Sequence, residues 1–320
     1  MHTRSILFTG AGFTANWGGF LNNEIWSQIF NQKEIQNSEK IRSVLLGTFD
    51  FELALEIIQN NPDYGDIDKG IMWHAVEIAF EKLDSVIKEK GTTEPEAKLQ
   101  DVRQFIKDIL GRRRGFFFTL NQDLFVERFL FGPARLRPGI IPENPLPIAI
   151  AGIQKLATCK APSKEEMEHN ENRYLQEAGS DNVVYIKLHG SQDWKGSSGL
   201  RLTVIGGGKR DIIEREPILR FYFETFIKIL SEKNSRILII GYGFRDEHVN
   251  RILIDSIKNH GLRVFVVSPL SPEEFRDTLA KNQCYEIWKG LSSYYPRTFR
   301  DLFDLRRSAR DVVNSLLFGI

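Results

Sequence analysis

The stretch Arg4-Ser-Ile-Leu-Phe-Thr-Gly10-Ala-Gly12-Phe-Thr14-Ala15 constrains the fold more than any other in the chain. Ser5 to Phe8 is a short apolar run that reads as a buried strand; it stops at a glycine turn and leads into a helix-like segment. The spacing Gly10-x-Gly12-x-x-Ala15 fits the turn that carries a dinucleotide in parallel α/β folds. Gly10 permits the tight turn. Gly12 has no Cβ, so its backbone can approach a pyrophosphate, and Ala15 lets the next segment pack closely on the sheet. The N–H groups that open the next helix then face the anion. A glycine pair after an apolar strand also makes a plain turn, and both readings stand at this point. The second strand of an ordinary dehydrogenase, ending in an acidic residue about twenty positions on, is missing; residues 20–60 read as helices.

The rest of the chain alternates. Leu21 to Phe30, Phe51 to Ile58, Ile71 to Ile87 and the stretch from Pro95 to Ile109 carry apolar residues at helical spacing. Asp50 ahead of Phe51 reads as an N-cap. Phe116 to Thr119 is an apolar run of strand length that ends in Leu120-Asn121-Gln122-Asp123. The run 182–188 ends in His189-Gly190-Ser191, Arg236 to Ile240 ends in Gly241-Tyr242-Gly243-Phe244, and Arg263 to Val267 ends in Ser268-Pro269. Leu202 to Ile205 reads as a further strand and Tyr285 to Trp288 as a last edge strand. Pro217 to Ser231, the stretch from Asp246 to Gly261, the segment opened by Ser271-Pro272 and the tail from Arg297 to Leu317 read as helices. Strands alternating with helices predict an α/β fold: a Rossmann-like parallel sheet with helices on both faces. Residues 1–20 and 111–290 form its core, 21–110 a helical insertion module and 291–320 a helical tail. Residues 132–180 are a second insertion or a flap over the site, with His169 on its surface. Asn16-Trp17-Gly18-Gly19 is either a mobile loop over a ligand or a plain connection. Arg112-Arg113-Arg114 reads as a solvated strand start.

Composition removes several classes. The 43 basic and 42 acidic residues leave a net charge of +1, which gives no footprint for nucleic acid or for a membrane surface. Two cysteines, Cys159 and Cys284, are too few for a four-cysteine zinc site or a disulfide framework and point to a reducing cytoplasm. The apolar run after Arg4 is too short for a secretory signal, and nothing approaches the roughly twenty apolar residues of a membrane span. No cluster of ligands at metal spacing is visible, so no metal is expected.

Four strand ends, Gly10-Ala11-Gly12-Phe13-Thr14, Thr119-Leu120-Asn121-Gln122-Asp123, Lys187-Leu188-His189-Gly190 and Gly241-Tyr242-Gly243-Phe244, come in an order that resembles the sirtuin superfamily. The similarity runs from residue 4 to about 270. It is strongest to the bacterial sirtuin-like domains of anti-phage defence systems. The resemblance implies a Rossmann-like fold that binds NAD+ as its substrate in a cleft between the sheet and a smaller module. By position, Gly10, Ala11, Gly12, Phe13 and Thr14 would form the pyrophosphate turn. Asn121 would sit by the nicotinamide ribose and place a nucleophilic water, Asp123 would contact or organise the nicotinamide pocket, and His189 would be the general base. Gly241, Tyr242 and Ser268 would line the adenosine side. His248, on the helix after the Gly241 turn, is assigned a structural or cleft-rim part.

Two departures separate the chain from the deacetylase branch. That branch carries a zinc module of four cysteines and follows its opening turn with proline-aspartate-phenylalanine-arginine; here there are two cysteines and Asn16-Trp17-Gly18-Gly19. Both favour hydrolysis of NAD+ itself. The expected activity is an NAD+ glycohydrolase that releases nicotinamide and ADP-ribose as the effector of abortive infection. The alternatives are a protein deacylase, and a non-catalytic module that binds NAD or ADP-ribose. The resemblance further implies a homo-oligomer and a partner encoded nearby, a HerA-like ATPase or a short Argonaute-type protein. Leu302, Phe303, Val312, Leu316 and Leu317 of the tail would supply an oligomer interface or belong to the core.

Overall fold

Strand β1 (Ser5–Thr9) is buried along its whole length, so its alternate side chains must meet two different apolar layers. That requirement sets the architecture in the computed structural model, which describes residues 5–110, 115–130, 136–138, 159–161, 163–169, 183–303 and 308–318. The strands are β1, β2 (Phe116–Thr119), β3 (Leu136–Pro138), β4 (Cys159–Lys160), β5 (Val183–Lys187), β6 (Gly190–Lys195), β7 (Arg201–Thr203), β8 (Arg236–Ile240), β9 (Arg263–Ser268) and β10 (Leu291–Pro296). Seven of them make one sheet in the order β10-β9-β8-β1-β2-β5-β3, and every pairing in it is parallel. The other three form a small sheet, β4-β6-β7.

The register turns this order into two cores. Leu7 lies beside Phe117 and Leu238, Phe117 beside Tyr185, and Leu238 beside Phe265. This row faces the helical segment inserted between β1 and β2. Ile6, Phe8, Phe116, Phe118, Val184, Ile186, Ile237 and Ile239 face the opposite way, onto the helices Pro217–Leu230, Glu247–His260 and Pro272–Lys281. Both faces are therefore covered by helices, as the alternation in the sequence predicts.

After the single turn α1 (Ala11–Ala15), the inserted segment comprises α2 (Asn22–Phe30), α3 (Lys33–Asn37), α4 (Glu39–Thr48), α5 (Phe51–Asn60), α6 (Asp66–Thr93) and α7 (Glu96–Leu110). Asp50 caps α5 as expected: its Oδ1 accepts from the Glu52 N–H at 2.9 Å. Arg128 on a π-helical turn (Val126–Leu130) forms a two-toothed ion pair with Asp84 of α6, at 2.6 and 2.8 Å, and ties the segment to the end of β2.

Two expectations are corrected and two are narrowed. Glu286–Lys289 is a short helix, not an edge strand; the edge is β10, further along the chain and paired in parallel with β9. The tail carries that strand, a 3-10 turn (Arg300–Leu302) and one helix, Ala309–Phe318. The strand near Leu202 belongs to the small sheet. Trp17 is no lid: it is 4% exposed, stacks on Phe125 with centroids 4.6 Å apart and joins Phe13 and Phe299 in the core. Leu302, Val312 and Leu316 are buried in the same core and Phe303 packs against it, whereas the side chain of Leu317 lies outside the described residues. Arg112, Arg113 and Arg114 and most of 132–180 lie outside the described residues; His169, within them, is exposed.

Candidate functional site

The chain leaves β1 through β2 and β5 toward one edge of the sheet and through β8, β9 and β10 toward the other. The order of the strands therefore reverses at the β1–β8 boundary. In open parallel sheets the crevice beyond the carboxyl ends of the strands at such a point is where ligands sit.

The glycine turn after β1 lies at this boundary, and its packing explains its composition. The Gly10 N–H donates to the Ile240 carbonyl at 3.1 Å and the Gly12 N–H to the Gly241 carbonyl at 2.9 Å. A Cβ on Gly12 would lie 2.7 Å from the Gly241 Cα, and one on Gly10 2.8 Å from the Gly241 oxygen. Gly241, with φ +66°, would place a Cβ 2.2 Å from the Phe13 nitrogen. The three glycines are thus needed for the contact of two backbones across β1 and β8. Two N–H groups at the start of α1 are already taken, because Phe13 donates to the Gly10 carbonyl at 2.8 Å. The Phe13 ring is fully buried among Trp17, Phe117, Phe125 and Phe299. Any ligand contact from this residue is made by its backbone.

Thr14 gathers the end of β2. The Thr119 hydroxyl accepts from the Thr9 hydroxyl at 2.8 Å and from the Asn121 N–H at 3.0 Å, which fixes the backbone of Asn121. The Asn121 Nδ2 donates to the Thr14 Oγ1 at 3.2 Å, and the Thr14 Oγ1 donates to the Asp123 Oδ2 at 3.0 Å. Asp123 Oδ1 in turn accepts from the Phe125 N–H at 3.0 Å, a capping bond at the start of the following turn. Asn121, Thr14 and Asp123 are all buried. Burial raises the Asp123 pKa, against the pull of Lys187. Asp123 consequently acts on Asn121 through Thr14 and holds the amide in place.

Beneath this group lies a pair that the sequence reading missed. Lys187, 1% exposed, donates from Nζ to the Glu127 carboxylate at 2.7 Å and to the Asp123 carbonyl at 2.5 Å. Burial lifts the Glu127 carboxyl to about 7, although Lys187 pulls it down. The available signal was a lysine inside the otherwise apolar strand Val183–Lys187.

His189, at the end of β5, belongs to a different cluster. Its Nε2 lies 3.0 Å from the Nε2 of His248, and the Asp246 carboxylate completes a group of ligand atoms all within 4.8 Å of one another. The expectation of no metal-spaced cluster is corrected here: His189 is far in sequence from Asp246-x-His248, and only the fold joins them. Desolvation holds His189 down at about 3 and His248 at about 4, so both rings are neutral at physiological pH. Burial pushes Asp246 up, but the histidines and the Lys209 ammonium more than offset this and leave it below its ordinary value. Lys209 Nζ reaches Asp246 at 2.7 Å and Glu52 of α5 at 2.8 Å. Gly190, after His189, has φ +74° and would drive a Cβ to 2.2 Å from the Leu202 carbonyl, so only glycine can turn the chain there.

The remaining expected residues have other engagements. Tyr242 is buried edge-on to Phe8, and its hydroxyl donates to Asn250 Oδ1 at 2.9 Å, so the side chain is part of the core. The Ser268 hydroxyl, at the end of β9, accepts from the Leu270 N–H at 3.4 Å. A cavity of about 470 Å³ is lined by Leu55, Glu56, Lys69, Trp73 and Ile205 among others and by none of the residues expected at the strand ends. Among the described residues no helix is long and apolar enough to cross a membrane.

Comparison with curated proteins gives no match. Among solved structures, a Sir2 homologue in complex with NAD is 14% identical, with 98% of this chain and 90% of that chain covered and a TM-score of 0.46. A histidine-to-asparagine mutant of a Sir2 homologue in complex with ADP-ribose is 12% identical, with 98% and 92% covered and a TM-score of 0.42. The family model described as a SIR2-like domain matches residues 115–287, from the start of β2 past β9. As this match takes in more than half of the 320 residues, the chain belongs to the SIR2-like family.

Proposed function

We propose that the chain is an NAD+ glycohydrolase and the NAD-depleting effector of an anti-phage defence system. The observation that carries the reading is the hydrogen-bonded chain Asn121–Thr14–Asp123 at the carboxyl ends of β1 and β2, beside the reversal of strand order, in a member of the SIR2-like family. The lack of a four-cysteine module supports cleavage of NAD+ without an acyl-lysine substrate.

In this reaction the bond between the nicotinamide nitrogen and the ribose C1′ breaks. Its electron pair stays on the pyridinium nitrogen, which becomes neutral. Water adds to C1′, giving ADP-ribose, and one proton is released. The leaving group needs little acid help, and the sugar passes through an oxocarbenium-like state. The protein must therefore hold the ribose and place one water. An amide anchored by its nitrogen still offers its carbonyl oxygen to that water. His189, neutral and buried, can accept a hydrogen bond from a ribose hydroxyl or from the water. With its pKa near 3 it is a weak base, so its contribution belongs at the lower end of the usual range, about 100-fold.

Activation by a partner, a HerA-like ATPase or a short Argonaute-type protein, and assembly into a homo-oligomer are part of the proposal. The test is nicotinamide and ADP-ribose release by the chain, with and without acetyl-peptide, and in infected cells. Peptide-independent release, reduced at least about 100-fold in Asn121→Ala and His189→Ala, is expected. Release that requires the acyl-peptide would replace the proposal with a deacylase. NAD+ binding without turnover, in infected cells as well as in the tube, would replace it with a binding module.

A further inference from the structure

We propose that His189, His248 and Asp246 form a zinc-binding site. The two Nε2 atoms face each other at 3.0 Å with the ring planes inclined by 32°, and an Asp246 oxygen lies within 4.8 Å of both. These are three first-choice zinc ligands, two imidazole nitrogens and a carboxylate oxygen. Zinc–nitrogen bonds of about 2.0–2.1 Å at the tetrahedral angle set nitrogen atoms about 3.4 Å apart, so the pair has to open by only a few tenths of an ångström.

The three come from two rigid places. His189 lies in the two-residue turn between β5 and β6, where Gly190 and the Val204 N–H bond to the His189 carbonyl, at 3.0 Å, fix its backbone. Asp246 is the residue before the helix Glu247–His260, and His248 lies in its first turn. The Val249 and Asn250 N–H groups both donate to the Asp246 carbonyl at 3.0 Å, which holds this turn. His248 is half-buried, which gives an ion a way in.

The charges that face the cluster permit a dication. Lys209 donates to Asp246 Oδ1, but it also pairs with Glu52, so its charge is shared between two carboxylates. Around His248 the cations Lys209 and Arg210 are balanced by Asp246 and Glu247, and Glu52 takes up part of the Lys209 charge. A ligating carboxylate whose second bond goes to a fixed donor is the usual outer arrangement of a metal site. Three protein ligands leave a fourth position for water. An ion there would occupy His189 Nε2 and hold that ring away from the ribose. This inhibitory consequence rests on the proposed glycohydrolase reading; the binding itself does not.

The experiment uses the full chain, stripped with a chelator, and reads metal binding without any turnover assay. Zn²⁺ is titrated by calorimetry and Co²⁺ by visible absorption. One ion per chain and a tetrahedral cobalt band are expected. Affinity should fall more than about 100-fold in His248→Asn and Asp246→Asn. It should be unchanged in His74→Ala, which removes an exposed surface histidine near Glu77. His248→Asn retains a polar group able to bond His189, so it decides the matter if Asp246→Asn fails to fold. Absence of Zn²⁺ binding to the folded wild-type chain, or binding that is unaltered in folded His248→Asn, would overturn the proposal.

Discussion

Glu127 shows what a single side chain contributes through its surroundings. It is 2% exposed, its partner Lys187 is 1% exposed, and burial raises its pKa from 4.5 to about 7. A carboxyl whose pKa is higher in the folded state holds its proton more tightly there. Its stabilising contribution is full below pH 4.5 and is lost as the pH rises toward 7. Glu127→Gln cannot titrate. The stability of the wild type relative to Glu127→Gln, from denaturant melts across this range, should fall on the order of 1–3 kcal/mol and then level off. A flat difference would show that folding leaves the Glu127 pKa unshifted. The pair also marks the limit of reading residues from sequence. Asn121 and His189 are legible because each closes an apolar run at a strand end. Glu127 and Lys187 lie 60 positions apart, and nothing local announces that a turn of helix will set one on the other. The pairing of His248 with His189 is hidden for the same reason.

Among the elements, those with apolar residues on both faces are legible, and those that lie at an edge are not. Arg236–Ile240 has four successive buried apolar residues and fits nothing but an inner strand. The segment Tyr285–Trp288 alternates as a strand would, but a four-residue run is equally compatible with one helical turn, and only Ile287 of it is buried. The true edge, Leu291–Pro296, has no buried residue and carries two serines, so no apolar pattern reveals it. In sequence the joint between β1 and β8 has the form of a glycine turn made for a ligand; its glycines also serve backbone packing, which separates two costs. Gly261 and Gly241 have φ +70° and +66°, yet a Cβ on Gly261 meets open space while one on Gly241 meets the Phe13 nitrogen at 2.2 Å. Gly261→Ala should cost only the left-handed strain, about 1–2 kcal/mol. Gly241→Ala should exceed it by at least about 2 kcal/mol, because backbone cannot move aside as a side chain can. Equal losses in thermal or denaturant melts would mean that the two turns relax alike.

At the scale of the whole molecule, the helical segment between β1 and β2 is joined to the sheet by apolar packing and by ion pairs of two kinds. Arg128 and Asp84 are 8% and 24% exposed and bond through two parallel contacts. Lys209, 18% exposed, bridges Glu52 of α5, 36% exposed, and Asp246 beyond β8. Arg245, 62% exposed, reaches Asp50 at 3.1 Å. Removing one partner of a buried pair strands the other charge and costs about 3–5 kcal/mol, whereas an exposed pair contributes about 0–1 kcal/mol. Arg128→Met should therefore lower the global stability by about 3 kcal/mol, since it leaves Asp84 facing apolar surface. Lys209→Met should cost less, about 1–3 kcal/mol: Asp246, 13% exposed, loses its partner, but Glu52 can turn to water. Part of its effect should be local. With the cation gone, Glu52 and Asp246 repel, and the first turns of α5 and of Glu247–His260 are the parts that can yield. Hydrogen exchange should quicken there by about threefold to tenfold more than in the strands, on the order of 1 kcal/mol of local opening. That pattern would make the Lys209 bridge a latch beside His248 and His189, separable from the forces that keep the molecule folded. A uniform quickening across α2–α7 in Lys209→Met would instead mean that the Lys209 bridge, and not the Arg128 pair with the shared core, is what docks the helical segment on the sheet.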